Sequence, residues 1–101
     1  MLRRRPNAGE LFAELQKLVD RAPPVPLTDE VRLDERAASS LVRRLGETDT
    51  AAADPLLRDA AARFAAMIRT APVVPLTGTR RLEERVLRAA LDDLRTFVDR
   101  K

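Results

Sequence analysis

The chain has 101 residues and a mass of 11.3 kDa, which is the size of one ordinary domain. Apolar residues make up 45% of it, but 16 of them are alanine, so the larger side chains suffice for only a small core. The sequence contains no Cys, His, Trp or Tyr. This composition excludes disulfides, thiolate or imidazole metal sites, and nucleophiles that depend on cysteine or histidine.

The N-terminus is predicted to be a short, flexible basic arm, residues 1–6. Arg3, Arg4 and Arg5 equal the whole net charge of +3, so the rest of the chain is neutral. The arm is either a binding element for DNA or anionic lipid, or a solvated tail without a ligand. No stretch approaches the roughly 20 apolar residues of a membrane span, and no apolar segment follows the arginines as in a secretory signal. We therefore expect a cytoplasmic protein.

An internal repeat organises the remainder of the chain. Residues 22–28 (APPVPLT) recur as residues 71–77 (APVVPLT), with six of seven positions identical. At the same offset of 49 residues, positions 22–45 and 71–94 share 11 of 24 residues without a gap. This agreement indicates a duplication, with repeats at about 7–46 and 54–101. Two copies are too few for a solenoid, so we expect a closed pseudo-twofold pair within a single domain, residues 7–101.

The first repeat begins and ends with a helix. Asn7 and Glu10 form a capping-box pattern ahead of an apolar stripe at helical spacing, and the prolines at 23, 24 and 26 end this helix. Asp34 is the predicted N-cap of the second helix. Gly46 is predicted just beyond the end of that helix, where a left-handed conformation costs glycine little.

Between these helices, residues 23–33 are predicted to be an extended strip. Val25, Leu27, Val31 and Leu33 occupy alternate positions, so we expect one face of the strip to lie against the core. On this interpretation, replacing Leu27 or its counterpart Leu76 by Asp should destabilise the fold by a few kcal/mol.

The second repeat follows the same plan after a connector at residues 47–53. Asp54 and Pro55 are typical of a helix start, and this third helix is predicted to run to about residue 70. An extended piece then covers residues 72–81, with a turn at Gly78. The fourth helix is predicted from about residue 82 to residue 100, with Val86 among the residues that face inward.

The predicted fold is therefore mainly α, a four-helix bundle built from two helix–extended strip–helix units. If residues 28–32 and 77–81 meet at the pseudo-twofold axis, they form a short two-stranded antiparallel ribbon. Such a ribbon needs the helices beneath it for stability. The pairing takes place either within one chain or between two chains.

No pattern in the sequence points to catalysis. The acidic doublets at 34–35 and 83–84 sit at helix starts, where negative charge favours the helix dipole, and the doublet at 92–93 belongs to a solvated helix face. The three glycines are too scattered to cradle a phosphate. We expect a non-enzymatic protein with no catalytic residue, no cofactor and no metal.

Without a catalytic pattern, the function is expected to depend on contacts made by the protein surface. The leading hypothesis is a protein-interaction or oligomerisation module that binds a protein partner or a second copy of itself. Its candidate contact residues lie on the two strips: Val25, Leu27, Val31, Val74 and Leu76.

The alternative hypothesis is a DNA-binding or DNA-architectural protein. A strand that carries Arg and leads into a capped helix loosely resembles half of a ribbon-helix-helix protein, in which a two-stranded ribbon enters the major groove. Arg32 and Arg81 would then face the DNA, together with Arg3, Arg4 and Arg5 of the basic arm.

The repeated unit also resembles a short module at the N-terminus of DivIVA-like cell-division and cell-wall scaffold proteins of actinobacteria. In that module an amphipathic helix leads into a Val-Pro turn, an extended run and a second helix rich in Leu and Arg. The matching residues are 25–28, Val31, 33–34 and Arg36 in the first repeat, and 74–77, 82–83 and Arg85 in the second. Here the module occurs twice, and no long coiled coil follows. The resemblance implies an oligomerising or adaptor module of a bacterium with a GC-rich genome.

Overall fold

The computed structural model describes residues 6–99 and is mainly helical, as predicted. The basic arm with Arg3, Arg4 and Arg5 lies outside the described residues. In chain order the elements are α1 (Ala8–Asp20), β1 (Glu30–Asp34), α2 (Glu35–Gly46), α3 (Asp49–Ala53), α4 (Pro55–Thr70), β2 (Val73–Val74), β3 (Thr79–Glu83) and α5 (Glu84–Val98).

The helix starts follow from side chains that satisfy free backbone N–H groups. The capping box at α1 is confirmed: the Asn7 side chain accepts from the Glu10 N–H, and the Glu10 carboxylate accepts from the Asn7 N–H. Asp34 caps α2 as predicted, and its carboxylate accepts from the N–H of Ala37. Asp54 accepts from the N–H of Leu56 directly before α4, with Pro55 in the first turn.

Two features of the helices differ from the prediction. Five helices are described in residues 6–99 instead of four, because the predicted connector holds the short helix α3. Thr48 starts this helix, since its hydroxyl oxygen accepts from the Ala51 N–H. Gly46 is the last residue of α2, and no left-handed φ occurs there. A Cβ at Gly46 would lie 3.6 Å from the Cβ of Ala61, so this small residue marks a close approach of α2 and α4.

The core lies between the helices and the inner face of a small sheet. All the buried residues in the described part of the chain are hydrophobic. The largest fully buried side chains are Leu11, Leu15, Leu33, Val42, Leu45, Leu57, Phe64, Ile68, Leu87, Leu91 and Leu94. Val86, predicted to face inward, is 45% exposed, because the buried stripe of α5 runs through Leu87, Leu91 and Leu94.

The two repeats do pair through antiparallel strands within one chain, but the strands begin two residues later than the predicted 28–32 and 77–81, and the predicted four-helix bundle with a two-stranded ribbon is not confirmed. β1 and β3 are antiparallel, and Arg32 is directly opposite Arg81. These two residues are 49 positions apart, which is the repeat offset, so a pseudo-twofold axis passes between them. The same symmetry appears where each strand leads into a helix. The Glu35 N–H donates to the Gly78 carbonyl at 3.0 Å, and the equivalent Glu84 N–H donates to the Asp29 carbonyl at 2.8 Å.

The sheet has three strands, β1-β3-β2, where the sequence predicted two. The third strand is the second proline-containing strip, whose Val73 and Val74 pair with β3. In the first repeat, the equivalent position Pro24 makes an isolated bridge to Val31. The first strip is nonetheless hydrogen-bonded to β1: the Arg32 N–H donates to the Pro23 carbonyl at 2.9 Å, and the Val25 N–H donates to the Glu30 carbonyl at 2.8 Å.

The alternation predicted along the first strip is correct for its second half only. Val31 and Leu33 are buried in the core, as predicted. Leu27 and its counterpart Leu76 are fully exposed, so their predicted place against the core is wrong. The alternation fails because residues 25–28 form a turn and not an extended strand.

Candidate interaction site at two proline–leucine turns

Each repeat carries an identical tight turn, which we name the first Pro-Leu turn (residues 25–28) and the second Pro-Leu turn (residues 74–77). In the first, the Thr28 N–H donates to the Val25 carbonyl at 3.2 Å, and the Thr28 hydroxyl donates to the same oxygen at 2.8 Å. The Thr28 hydroxyl also accepts from the Glu30 N–H at 3.1 Å. In the second, Thr77 makes the equivalent contacts at 3.3, 2.7 and 3.1 Å. Proline at the second position and threonine at the fourth therefore have a local structural reason.

The leucine at the third position of each turn has no structural role of this kind. Leu27 and Leu76 have φ values of 65° and 68°, in the left-handed region that only glycine, and to a lesser degree Asn and Asp, enters readily. Their relative exposures are 105% and 106%, so no burial offsets the backbone strain. A glycine would serve the turn better. Strain that the fold does not require is typical of a functional position.

The turns are also the segments in which the two repeats differ least. Positions 22–28 and 71–77 share six of seven residues, although most of these residues are exposed or half-buried. By contrast, Ala13 and Ala62 are the single identity between positions 8–20 of α1 and 57–69 of α4, which supply much of the core. Exposed positions normally diverge faster than buried ones, so this pattern favours a role for the turns outside packing.

The two turns lie at opposite ends of the β1–β3 ribbon. The first turn leads into Glu30, which is paired with Glu83, and the second leads into Thr79, which is paired with Asp34. These two rungs are four residues apart along the strand, roughly 13 Å. We call the two ends of the ribbon the Leu27 end and the Leu76 end.

The two ends have similar shape but different charge. Beside each turn lies an open depression, of about 470 Å³ at the Leu27 end and about 550 Å³ at the Leu76 end. At the Leu27 end it is lined by four carboxylates and one guanidinium: Asp29, Glu30, Glu83, Glu84 and Arg85. At the Leu76 end it is lined by two guanidiniums and one carboxylate: Arg36, Arg43 and Glu35. The Leu27 end is therefore acidic and the Leu76 end basic.

The other candidate contact residues are distributed unevenly. Val25 and Val74 are half-buried beside the turns, whereas Val31 belongs to the core and offers no surface. Arg32 and Arg81 face each other on the outer side of the ribbon, and Arg81 is ion-paired with Glu30. At the equivalent place beside Arg32 the sequence has Thr79, so Arg32 has no ion pair among residues 6–99.

The charge of this outer face bears on whether the ribbon can bind DNA. Three carboxylates and two guanidiniums alternate on it in the pairing register: Glu30, Asp34 and Glu83 with Arg32 and Arg81. The face has a net negative charge, which phosphates repel.

Sequence reasoning missed the role of Arg80. Its guanidinium donates to the carbonyls of Arg69 and Ala71 at 3.0 and 2.7 Å, at the end of α4, and to the carboxylate of Glu35 at 2.8 Å, at the start of α2. The equivalent residue of the first repeat is the buried Val31. We call these three contacts of Arg80 the Arg80 clamp. The Val-to-Arg difference at an inward position was the signal in the sequence that could have identified it.

The clamp shifts the pKa values of both charged partners. The hydrogen bond from Arg80, together with the guanidinium charge, holds the pKa of Glu35 below its ordinary value of 4.5, although burial acts in the opposite direction. The same hydrogen bond raises the pKa of Arg80. Because the clamp joins β3, α4 and α2, it fixes the base of the second Pro-Leu turn.

Residues 6–99 contain no group of three or more acidic side chains that could hold a metal ion. None of the helices in the described part of the chain combines the length and the apolar character needed to cross a bilayer. Comparison with protein-family models, curated proteins and solved structures found no match.

Proposed function

We propose that the chain is a non-enzymatic protein-interaction module whose contact elements are the two Pro-Leu turns. The observation that carries this proposal is the pair of fully exposed, left-handed leucines at equivalent positions of a duplicated unit. Each leucine raises the free energy of the isolated fold and buries nothing in it. Binding that covers the side chain contributes roughly 1.5–3 kcal/mol per leucine, against a backbone strain of roughly 1–2 kcal/mol.

The duplication supports a role in which both turns act together. One leucine with its neighbouring proline is too small a contact for a stable complex. Two rigid turns on one scaffold make the second contact intramolecular, so the combined affinity far exceeds that of either turn alone. Preorganisation by the Thr28 and Thr77 hydrogen bonds reduces the entropy lost on binding.

The DNA-binding alternative has less support, because the outer face of the ribbon has a net negative charge. The proposal places the module in the cytoplasm, as the cysteine-free composition allows. From the resemblance of the repeated unit, we also propose that its partner belongs to the machinery of bacterial cell division or envelope organisation.

Site-specific photo-crosslinking in bacterial cells that express the protein tests the proposal. A photoreactive amino acid replaces Leu27 or Leu76 in the full chain, and in the control it replaces Leu56, which is 49% exposed at the start of α4. We expect discrete crosslinked species from positions 27 and 76 but not from position 56. Equal crosslinking at all three positions, or none at any, would contradict the proposal. The identity of the adduct then tests the connection to cell division.

A further inference from the structure

The charges at the two ends of the ribbon point to a specific occupant for the Pro-Leu turns. At the Leu27 end, Asp29, Glu83 and Arg85 make no ion pair with any described residue, which leaves one excess negative charge. At the Leu76 end the same holds for Asp34, Arg36 and Arg43, which leaves one excess positive charge. The Leu76 end is further biased toward positive charge because Arg80 neutralises Glu35. One molecule thus has a net excess of negative charge beside one turn and a net excess of positive charge beside the other.

The contrast arises at positions that are equivalent in the duplication. Asp29 corresponds to Gly78, Glu30 to Thr79, and Asp92 to Arg43. The backbone of the two ends is nearly the same, as the equivalent turn hydrogen bonds show. The ends therefore share a shape, a protruding leucine beside an open depression, while their net charges have opposite signs. A protrusion beside a depression is complementary in shape to a second surface of the same kind.

We propose that copies of this chain associate end to end, with the Leu27 end of one copy docked on the Leu76 end of the next. The proposal rests on the proposed function and identifies the partner of the turns as a second copy. Contact between two Leu27 ends or two Leu76 ends brings like charges together, so only the mixed contact has charge complementarity.

Two physical properties of the assembly follow. The contact is heterologous, so copies add head to tail, and growth gives open chains, or rings where the rotation between successive copies closes. The contact is also small and partly ionic, so association is weak, depends on concentration and declines with salt.

Analytical ultracentrifugation of the full chain measures this association. We expect the weight-average mass to rise with concentration at about 0.01 M salt, and the association constant to fall at least about tenfold at about 1 M salt, where the Debye length is only 3 Å. A mass that stays monomeric up to about 1 mM at low salt would overturn the proposal.

A mixing experiment with two blocked variants separates end-to-end contact from symmetric pairing. One variant carries Leu27→Ser with Asp29→Arg, and the other carries Leu76→Ser with Arg36→Glu. Each alone should be monomeric, and an equimolar mixture should form a 1:1 dimer and nothing larger. A variant with Leu56→Ser is the matched control and should associate as the wild type does. Circular dichroism confirms that the variants, all at exposed positions, remain folded.

Self-association of either blocked variant alone, or a mixture that remains monomeric, would overturn end-to-end docking. Failure of end-to-end docking can be distinguished from failure of the proposed function. If the wild type is monomeric but positions 27 and 76 crosslink to a different protein in cells, the turns bind a foreign partner and only self-association is wrong. If neither result appears, the interaction function is wrong as well.

Discussion

The least expected residues in the structure are Leu27 and Leu76, because a leucine at φ near +65° is strained and these two gain nothing from burial. We expect Leu27→Gly and Leu76→Gly each to raise the free energy of unfolding by about 0.5–1 kcal/mol, as relief of the strain exceeds the greater entropy of glycine in the unfolded chain. Thermal or urea unfolding measures the change. Leu27→Ala keeps the left-handed strain and is the control, for which no gain is expected. A loss of stability in both glycine variants would show that the leucines contribute to folding.

The sequence placed these leucines incorrectly for a physical reason. The alternation from Val25 to Leu33 counts residues as if the chain were extended throughout, whereas Pro26 starts a turn. Proline and threonine are turn signals that the sequence shows. Leucine at the third position argued against a turn, since that position ordinarily selects glycine or asparagine.

The Arg80–Glu35 ion pair makes a pH-dependent contribution to stability. Because the pKa of Glu35 is lowered in the folded protein, its contribution is complete above its ordinary value of 4.5 and is lost as the pH falls through the lower folded value. We expect wild type to be more stable than Glu35→Gln at neutral pH and the difference to shrink in acid. Urea unfolding across this range measures it, with Glu14→Gln on α1 as a control for removal of one carboxylate. A difference that does not change with pH would contradict the assigned ion pair.

Among the elements, α2 and α4 approach closely at Gly46. The residue has an ordinary helical φ, and a Cβ there would make a normal 3.6 Å contact with Ala61. We therefore expect Gly46→Ala to stabilise the protein by about 0.5–1 kcal/mol, as the helix loses a flexible residue without a clash. Gly78→Ala is the matched comparison and should destabilise, since Gly78 has φ of +70° in open space. Unfolding measurements that place the two variants in the reverse order would refute this account.

The predictability of the elements depended on whether a local signal was present. Caps at Asn7, Asp34 and Asp54 carry their mechanism in their own side chains and were read correctly. The helix α3 and the strand β2 were missed, because five residues of helix and two of strand are too short to show a period. The pairing that makes β2 a strand comes from β3 and is not a property of its own sequence.

At the scale of the whole molecule, the repeat offset was the most informative feature of the sequence. It predicted that the two strips meet at a pseudo-twofold axis, and Arg32 does face Arg81 there. It could not reveal the asymmetry on which the proposed end-to-end contact rests. The opposite charges of the two ends arise from scattered differences such as Asp29 against Gly78, whose spatial neighbours are fixed only by the fold.

The pairing of β1 from the first repeat with β3 from the second also has a consequence for synthesis of the protein. When α2 has left the ribosome, the edge of β1 that pairs with β3 is still unpaired, and the buried side chains of Val31 and Leu33 still lack Leu82 beside them. At translation rates of roughly 5–20 residues per second, this state lasts several seconds, during which nascent chains on one polysome present the same unpaired strand to each other. The short segment between α2 and α4, residues 47–54, holds the later half at roughly millimolar effective concentration and so directs the pairing to the same chain.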